Sequence, residues 1–206
     1  MLKVFKSYDL KPITFLFTTL SFTNMQVYSK KDINEKVIGE IAKGAVFIYP
    51  TDTIYGIGCD ATNDRAVKKI RKMKGRVAKP FSVIAPSIDW IKENCSLTNH
   101  AKAWLLKLPG PYTLIINLKR VDAVCPQTNM GLKNLGIRIP DHWISDVAAK
   151  VGKPIVTTSV NLEGEPPATK LEQLEKFDVD FIIFEGEKEG KPSTLVDTVS
   201  GNTVKR

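Results

Sequence analysis

The 206-residue chain has few of the side chains on which hydrolytic, redox and metal chemistry usually rest: two histidines, His100 and His142, and three cysteines, Cys59, Cys95 and Cys125. The cysteines are odd in number and form no C-x-x-C pair, which argues against a disulfide framework or a structural zinc site and points to a reducing, cytoplasmic setting. Neither histidine has a Cys, His or carboxylate at ligand spacing, so both read as surface or helix-end residues and no histidine-based triad is expected. No G-x-x-x-x-G-K-[ST] occurs, which excludes a P-loop. Long apolar runs are missing as well. The run from Ile13 to Phe22 covers ten residues, four of them Thr or Ser, against about 20 needed to span a bilayer. It follows Lys3, Lys6 and Lys11 in the manner of a weak signal peptide, yet no small-x-small cleavage site comes after it. Residues 1–24 are therefore read as a disordered or non-native N-terminal extension, residues 25–206 as one domain, and no membrane association is expected.

What is present suits a packed domain: 43% of the residues are hydrophobic and 25% charged, a balance unlike that of disordered chains. The net charge of +8 is unevenly spread. Eight bases and one acid fall between Asp64 and Lys79, so that window alone carries +7, whereas Glu163 to Lys191 holds nine acids and four bases. The basicity is a local patch facing an anionic partner.

Apolar Ile33, Val37, Ile38 and Ile41 predict a helix over 31–43, and Ala45 to Tyr49 a buried strand. A glycine-bearing loop follows Tyr49. Asn63 then reads as the N-cap and Gly75 as the stop of a helix whose apolar stripe is Ala66, Val67, Ile70 and Met73, with the basic residues on its other face. Strands are expected over 81–85, 112–119, 135–139, 154–158, 180–184, 194–198 and 202–206, and helices near 87–94, 98–107, 141–151 and 170–177. Strands alternating with helices and a strand cluster at the end predict an α/β fold with a mixed sheet.

Four places could carry chemistry. The loop P-T-D-T-I-Y-G-I-G-C-D-A, from Pro50, formally matches G-x-G-x-x-A, but Gly56 lies too far from its strand for a dinucleotide turn and no ribose-binding acid follows at the required distance. What the loop offers is the hydroxyls of Thr51, Thr53 and Tyr55, or else a plain turn whose Gly56 and Gly58 permit tight backbone angles. Lys74 and Arg76, flanking Gly75, can converge on a polyanion, Arg as a planar fork and Lys as a point charge; alternatively they form a solvated face. In P-I-V-T-T-S-V-N, Ser159 and Asn161 offer a hydroxyl and an amide at the end of a strand, or an ordinary turn. Arg138, in apolar G-I-R-I-P, needs a carboxylate or phosphate partner.

Taken together, the P-T-D-T-I-Y-G-I-G-C-D-A string, the K-x-R at Lys74 and Arg76, P-G-P-x-T at Pro109 to Thr113, R-x-P at Arg138 to Pro140 and S-x-N at Ser159 to Asn161 have the order and spacing of the YrdC family. The chain resembles that family from about Val27 to Arg206, in its short, single-domain form. The resemblance implies an α/β fold with a twisted mixed β-sheet and flanking helices, and the activity of an L-threonylcarbamoyladenylate synthase. Such an enzyme, a nucleotidyltransferase, condenses L-threonine, bicarbonate and ATP for the t6A modification at position 37 of tRNA. By the same resemblance Lys74, Arg76, Ser159 and Asn161 are catalytic, Thr53 and Arg138 bind L-threonine, and Lys74, Arg76, Ser159 and Arg206 face ATP. Mg²⁺ would be held by phosphate oxygens and not caged by protein. The product would pass to a downstream tRNA threonylcarbamoyl transferase, and the protein would be a monomer. The stretch R-V-A-K-P-F after the K-x-R is one residue shorter than in many members, so no ligand role is carried over to Lys79; a histidine that some members have near the place of Ile84 is absent.

Two alternatives stay open. One is an RNA-binding paralogue, on tRNA or rRNA, without this activity. The other is a carbamoyl-transfer module with another acceptor.

Overall fold

The computed structural model describes residues 25–75 and 78–204. Its strands are β1 (Gln26–Tyr28), β2 (Phe47–Tyr49), β3 (Gly56–Gly58), β4 (Ser82–Ile84), β5 (Cys95–Ser96), β6 (Tyr112–Leu118), β7 (Asn134–Arg138), β8 (Ile155–Ser159), β9 (Phe181–Ile183), β10 (Thr194–Asp197) and β11 (Thr203–Val204). They join one sheet in the order β1-β9-β2-β3-β8-β4-β7-β6-β10-β11, with β5 paired to β6. The sheet is mixed: β9 with β1 and β2, β4 with β7, and β6 with β10 run parallel, while the β2–β3, β3–β8, β4–β8 and β6–β7 pairs run antiparallel. The helices are α1 (Glu35–Ala42), α2 (Asp64–Lys74), α3 (Ile88–Asn94), α4 (Asn99–Leu105), α5 (Pro126–Asn129), α6 (Ile144–Val151) and α7 (Leu171–Leu174). This is the α/β fold with a mixed sheet and flanking helices that the sequence implies. Among the described residues no helix is long and apolar enough to cross a membrane. The apolar run at 13–22, Arg76 and Arg206 lie outside the described residues.

Strand pairing decides which side chains share a face, because side chains alternate along each strand. One face of the sheet carries Phe47, Tyr49, Ile84, Ile155, Phe181 and Ile183, packed with Val37, Ile38 and Ile41 of α1 and Ile144, Val147 and Ala148 of α6. The other face holds the larger cluster, from Ile48, Ile57, Val83, Ile137 and Val156 to Val67 and Ile70 of α2. The register pairs Ile84 with Ile155 and Arg138, and Ser82 with Thr157 and Gly136. Arg138, Ser82, Thr157 and Ser159 therefore share the face that α1 and α6 cover. Beyond the reach of those two helices the face turns from aliphatic to polar.

Helix α2 begins and ends where expected. The Asn63 side chain accepts from the Ala66 amide, and Gly75 closes the helix at φ 62° in the left-handed region. Its basic residues do not all face outward, however. Arg71 and Lys74 are buried, with Arg71 lying 4.4 Å over the Phe81 ring and donating to the main-chain oxygens of Gln127 and Lys79 at 2.8 and 3.0 Å. Lys68 pairs with Asp64 at 2.7 Å, and Lys69 with Asp180 at 3.3 Å. A good part of the basic window is thus neutralised or spent on packing.

Gly56–Gly58, expected as loop, is a buried strand between β2 and β8. Neither glycine has a positive φ; they are needed for space. A Cβ on Gly58 would meet the Val156 carbonyl oxygen at 2.3 Å and the Tyr49 ring at 2.7 Å. The helix expected over 31–43 is a 3₁₀ turn at Lys30–Asp32 followed by α1, whose cap is Asn34. Strands β1 and β5 and helix α5 were not anticipated; each has two to four residues, too few to show a period.

Candidate functional site

Two adjoining cavities open where the polar half of the sheet face meets the loop after β2 and the turn after β8. The first, of about 180 Å³, is lined by Thr53, Ser82, Thr113, Arg138, Thr157 and Ser159, and closed on one side by Pro192 and Ser193. The second, of about 170 Å³, is lined by Lys74, Lys79, Ser159, Asn161, Glu163 and Gly164. Ser159 belongs to both walls, so the two are halves of one site. The structure brings together every described residue singled out from the sequence: Thr53 and Arg138 in the first half, Lys74 and Asn161 in the second, Ser159 between them.

Arg138 sits at the end of a buried strand, and its charge is matched from within the chain. Its guanidinium is ion-paired with Asp52, both side chains being almost wholly buried, and its two terminal nitrogens lie 3.4 Å from Thr53 Oγ1. The second Asp52 oxygen accepts the Asp141 amide at 3.1 Å, which fixes the carboxylate behind the arginine. Asp52 thus supplies the partner that the sequence demanded for Arg138. In the sequence Asp52 is only the acid between Thr51 and Thr53, with nothing local to link it to Arg138.

The hydroxyls beside Arg138 have a defined polarity. Thr51 Oγ1 donates its single proton to the Ile54 carbonyl at 2.8 Å and accepts the Thr53 amide at 3.1 Å. The 3.0 Å contact between the two threonine hydroxyls must then have Thr53 as donor. With its proton directed at Thr51 and the guanidinium approaching from one side, Thr53 Oγ1 offers the cavity an acceptor.

In the second half, the Lys74 ammonium is buried and donates to the main-chain oxygens of Ser159 and Asn161 at 2.5 and 2.6 Å and to Asn161 Oδ1 at 3.0 Å. Ser159 Oγ also donates to Asn161 Oδ1, at 2.6 Å, while Asn161 Nδ2 donates to the Glu165 carbonyl at 2.7 Å. The amide is oriented from both ends. Across the mouth, Lys79 pairs with Glu163 at 2.7 Å, bridging the segment after the K-x-R and the turn after the S-x-N. Lys79 therefore lines the site, although the shortened motif had argued against carrying a ligand role over to it.

The strap from Glu185 to Ser193 ends at the first cavity, which its Pro192 and Ser193 line. Glu185 accepts from Trp143 Nε1 at 2.6 Å and contacts His142 Nε2 at 2.9 Å. Burial lowers the His142 pKa against the opposing pull of Glu185. Burial also works to raise the Glu185 carboxyl, but hydrogen bonds from Trp143 and His142 outweigh it and leave the group below its usual range. Tyr55 Oη donates to the Gly186 carbonyl at 2.7 Å, and burial raises its pKa. Ser193 Oγ meets Thr113 Oγ1 at 2.7 Å. Gly190 lies so close to the Thr53 carbonyl that a Cβ there would overlap its oxygen at 1.9 Å. Ser193 and the strap went unnoticed in the sequence, whose K-P-S-T string is the one local hint.

A family described as Telomere recombination, Sua5/YciO/YrdC, matches residues 40–206. The chain is 30% identical over 182 residues to a Vibrio campbellii protein named threonylcarbamoyl-AMP synthase, covering 84% of this chain and 97% of that one. Its fold resembles that of Sua5 from P. abyssi, solved in complex with L-threonine, at a TM-score of 0.73 and 28% identity over 87% of this chain. The chain spans 56% of that protein's length. E. coli YciO shares the fold at a TM-score of 0.74 and 23% identity, over 87% of this chain and 92% of that one.

Proposed function

Because the chain belongs to the Sua5/YciO/YrdC family, we propose that it is an L-threonylcarbamoyladenylate synthase, a nucleotidyltransferase acting in t6A formation. The observation that carries this reading is the joined cavity: a buried arginine with an oriented acceptor on one side, an ammonium and amide cluster on the other, and Ser159 shared between them. An amino acid and a nucleotide would then meet end to end.

In the first half, Arg138 receives the threonine carboxylate and Thr53 accepts a hydrogen bond from its amine. The amine combines with bicarbonate to give a carbamate and water. A carbamate oxygen then attacks the α-phosphorus of ATP, a phosphorus–oxygen bond forms, and pyrophosphate leaves. The barrier is largely that of an anion approaching a polyanion, so positioning and fixed positive charge do the catalysis and no covalent nucleophile is required. Lys74 and Asn161 form the wall that faces the phosphates, with Ser159 between the two reactants. Arg76 and Arg206 are assigned to ATP from the family resemblance alone. Among the described residues no group of three or more His, Cys, Asp or Glu could hold a metal ion; magnesium is proposed to arrive as MgATP, held by phosphate oxygens and water.

The product would pass to a tRNA threonylcarbamoyl transferase from a monomeric, cytoplasmic enzyme. The RNA-binding alternative draws less support once Arg71 and Lys74 are seen to turn inward and Lys68 and Lys69 to pair with acids. The deciding assay supplies MgATP, labelled bicarbonate and L-threonine and follows pyrophosphate and labelled adenylate. Release that proceeds without threonine or without bicarbonate would defeat the synthase reading.

A further inference from the structure

We propose that Asp52 makes the first cavity a receptor for a zwitterion, so that it selects L-threonine over carboxylates of the same shape that lack the amine. The inference rests on the synthase reading and adds a specificity-determining residue to it. Among the described lining residues Arg138 is the one cation, and the other ionisable group, the Tyr55 phenol, is kept protonated by burial. Asp52 stands behind the cavity wall and neutralises Arg138, the two side chains being 9% and 6% exposed. Chain geometry enforces this split: Thr51 and Thr53 both line the cavity, while the residue between them turns its carboxylate toward Arg138 and the Asp141 amide.

The first cavity, whose one cationic lining residue is already balanced by Asp52, carries no net charge of its own. A bare carboxylate that enters it loses its hydration and brings one uncompensated negative charge next to Asp52. An amino acid brings its own ammonium, which Asp52 attracts through a water-poor wall while Arg138 and Thr53 take the polar contacts. Asp52 also holds the guanidinium in place, but a purely structural role would affect both ligand classes alike.

The probes are L-threonine and its hydroxy-acid counterpart, 2,3-dihydroxybutanoate, titrated into the full chain, with MgATP affinity and thermal midpoint measured in parallel. The wild-type protein should bind threonine more tightly by about tenfold or more, the ratio that one favourable charge contact of ordinary size supplies. In Asp52→Asn that preference should shrink to within about threefold, with MgATP affinity unchanged. Asp52→Glu keeps the charge, so the preference should survive there even where overall affinity falls; this variant decides the matter should Asp52→Asn not fold. An Asp52→Asn that weakens both ligands equally, or an Asp52→Glu that loses the preference, overturns the inference while leaving the synthase reading standing. A wild-type protein that binds no threonine overturns both.

Discussion

Lys74 holds Asn161 twice, donating to its main-chain oxygen at 2.6 Å and to its side-chain oxygen at 3.0 Å. The ammonium stands at the last residue of α2, just before the chain reverses at Gly75, and the turn after β8 is wrapped around it. The half of the site proposed to face phosphate is therefore held together by the chain's own contacts, as electrostatic catalysis requires. The same contacts make Lys74 part of the fold.

Replacing Lys74 with Gln should thus cost both activity and stability. It leaves carbonyl oxygens of a buried turn without their charged donor, a loss of about 3 kcal/mol. For a chain of this size that lowers the thermal midpoint by roughly 6–12 °C. Pyrophosphate release should fall by about a hundredfold or more. Calorimetry that finds the midpoint unmoved would show that the turn does not depend on the ammonium.

Much of this site can be read from the sequence because its parts fall in strings with recognisable chemistry: the hydroxyls of P-T-D-T, the lysine of K-x-R, the paired polar groups of S-x-N. What could not be read is which of those groups face one another. That Arg138 needs an anion follows from its apolar strand, but that the anion is Asp52, just before β3, depends on β7, β4, β8 and β3 lying side by side, a long-range arrangement with no local trace. The basic window shows the reverse failure. Counting charge marks Asp64 to Lys79 as one patch, whereas helical geometry turns Arg71 and Lys74 inward and leaves Lys68 and Lys69 outside beside acids. Gly56–Gly58 was misread because glycine signals turns in sequence, and the actual demand, room beside the Tyr49 ring, exists only in the folded sheet.

Asn161→Asp tests the orientation of the amide. Asn161 accepts from Lys74 and Ser159 at one end and donates to Glu165 at the other, so an aspartate would set an oxygen against the Glu165 carbonyl. It would also offset the Lys74 charge where the phosphates are proposed to lie. The KM for ATP should rise by about tenfold or more, with threonine affinity changed less than about twofold. Equal effects on both substrates would refute a phosphate-side role.

Gly190→Ala probes the strap. A methyl group cannot share space with the Thr53 carbonyl, so the strap must lift or Thr53 must shift, at an overpacking cost of about 1–3 kcal/mol. Either movement disturbs Pro192, Ser193 and Thr53, all of which line the first cavity. The KM for threonine should therefore increase, while that for ATP stays close to wild type. A variant with both constants unchanged would mean that the strap does not shape the threonine pocket.

The contact between His142 and Glu185 anchors that strap and should make stability depend on pH. Burial holds the His142 pKa below its ordinary value of 6.5, so between the folded and unfolded pKa values the unfolded chain binds more protons and stability rises with pH. The contribution is fully present above about pH 6.5 and is lost as pH falls through the lower, folded value. Glu185, also lowered, adds a loss of the same sign, but further down, below its ordinary value of 4.5. The His142 part can thus be isolated in mildly acid solution. Urea unfolding of the wild-type protein should show stability falling between about pH 7 and pH 5. In His142→Gln, which has no charge to gain, the slope over that interval should flatten while the decline below about pH 4.5 remains. Parallel slopes in the two proteins would show that burial of His142 is not what couples the strap to protons.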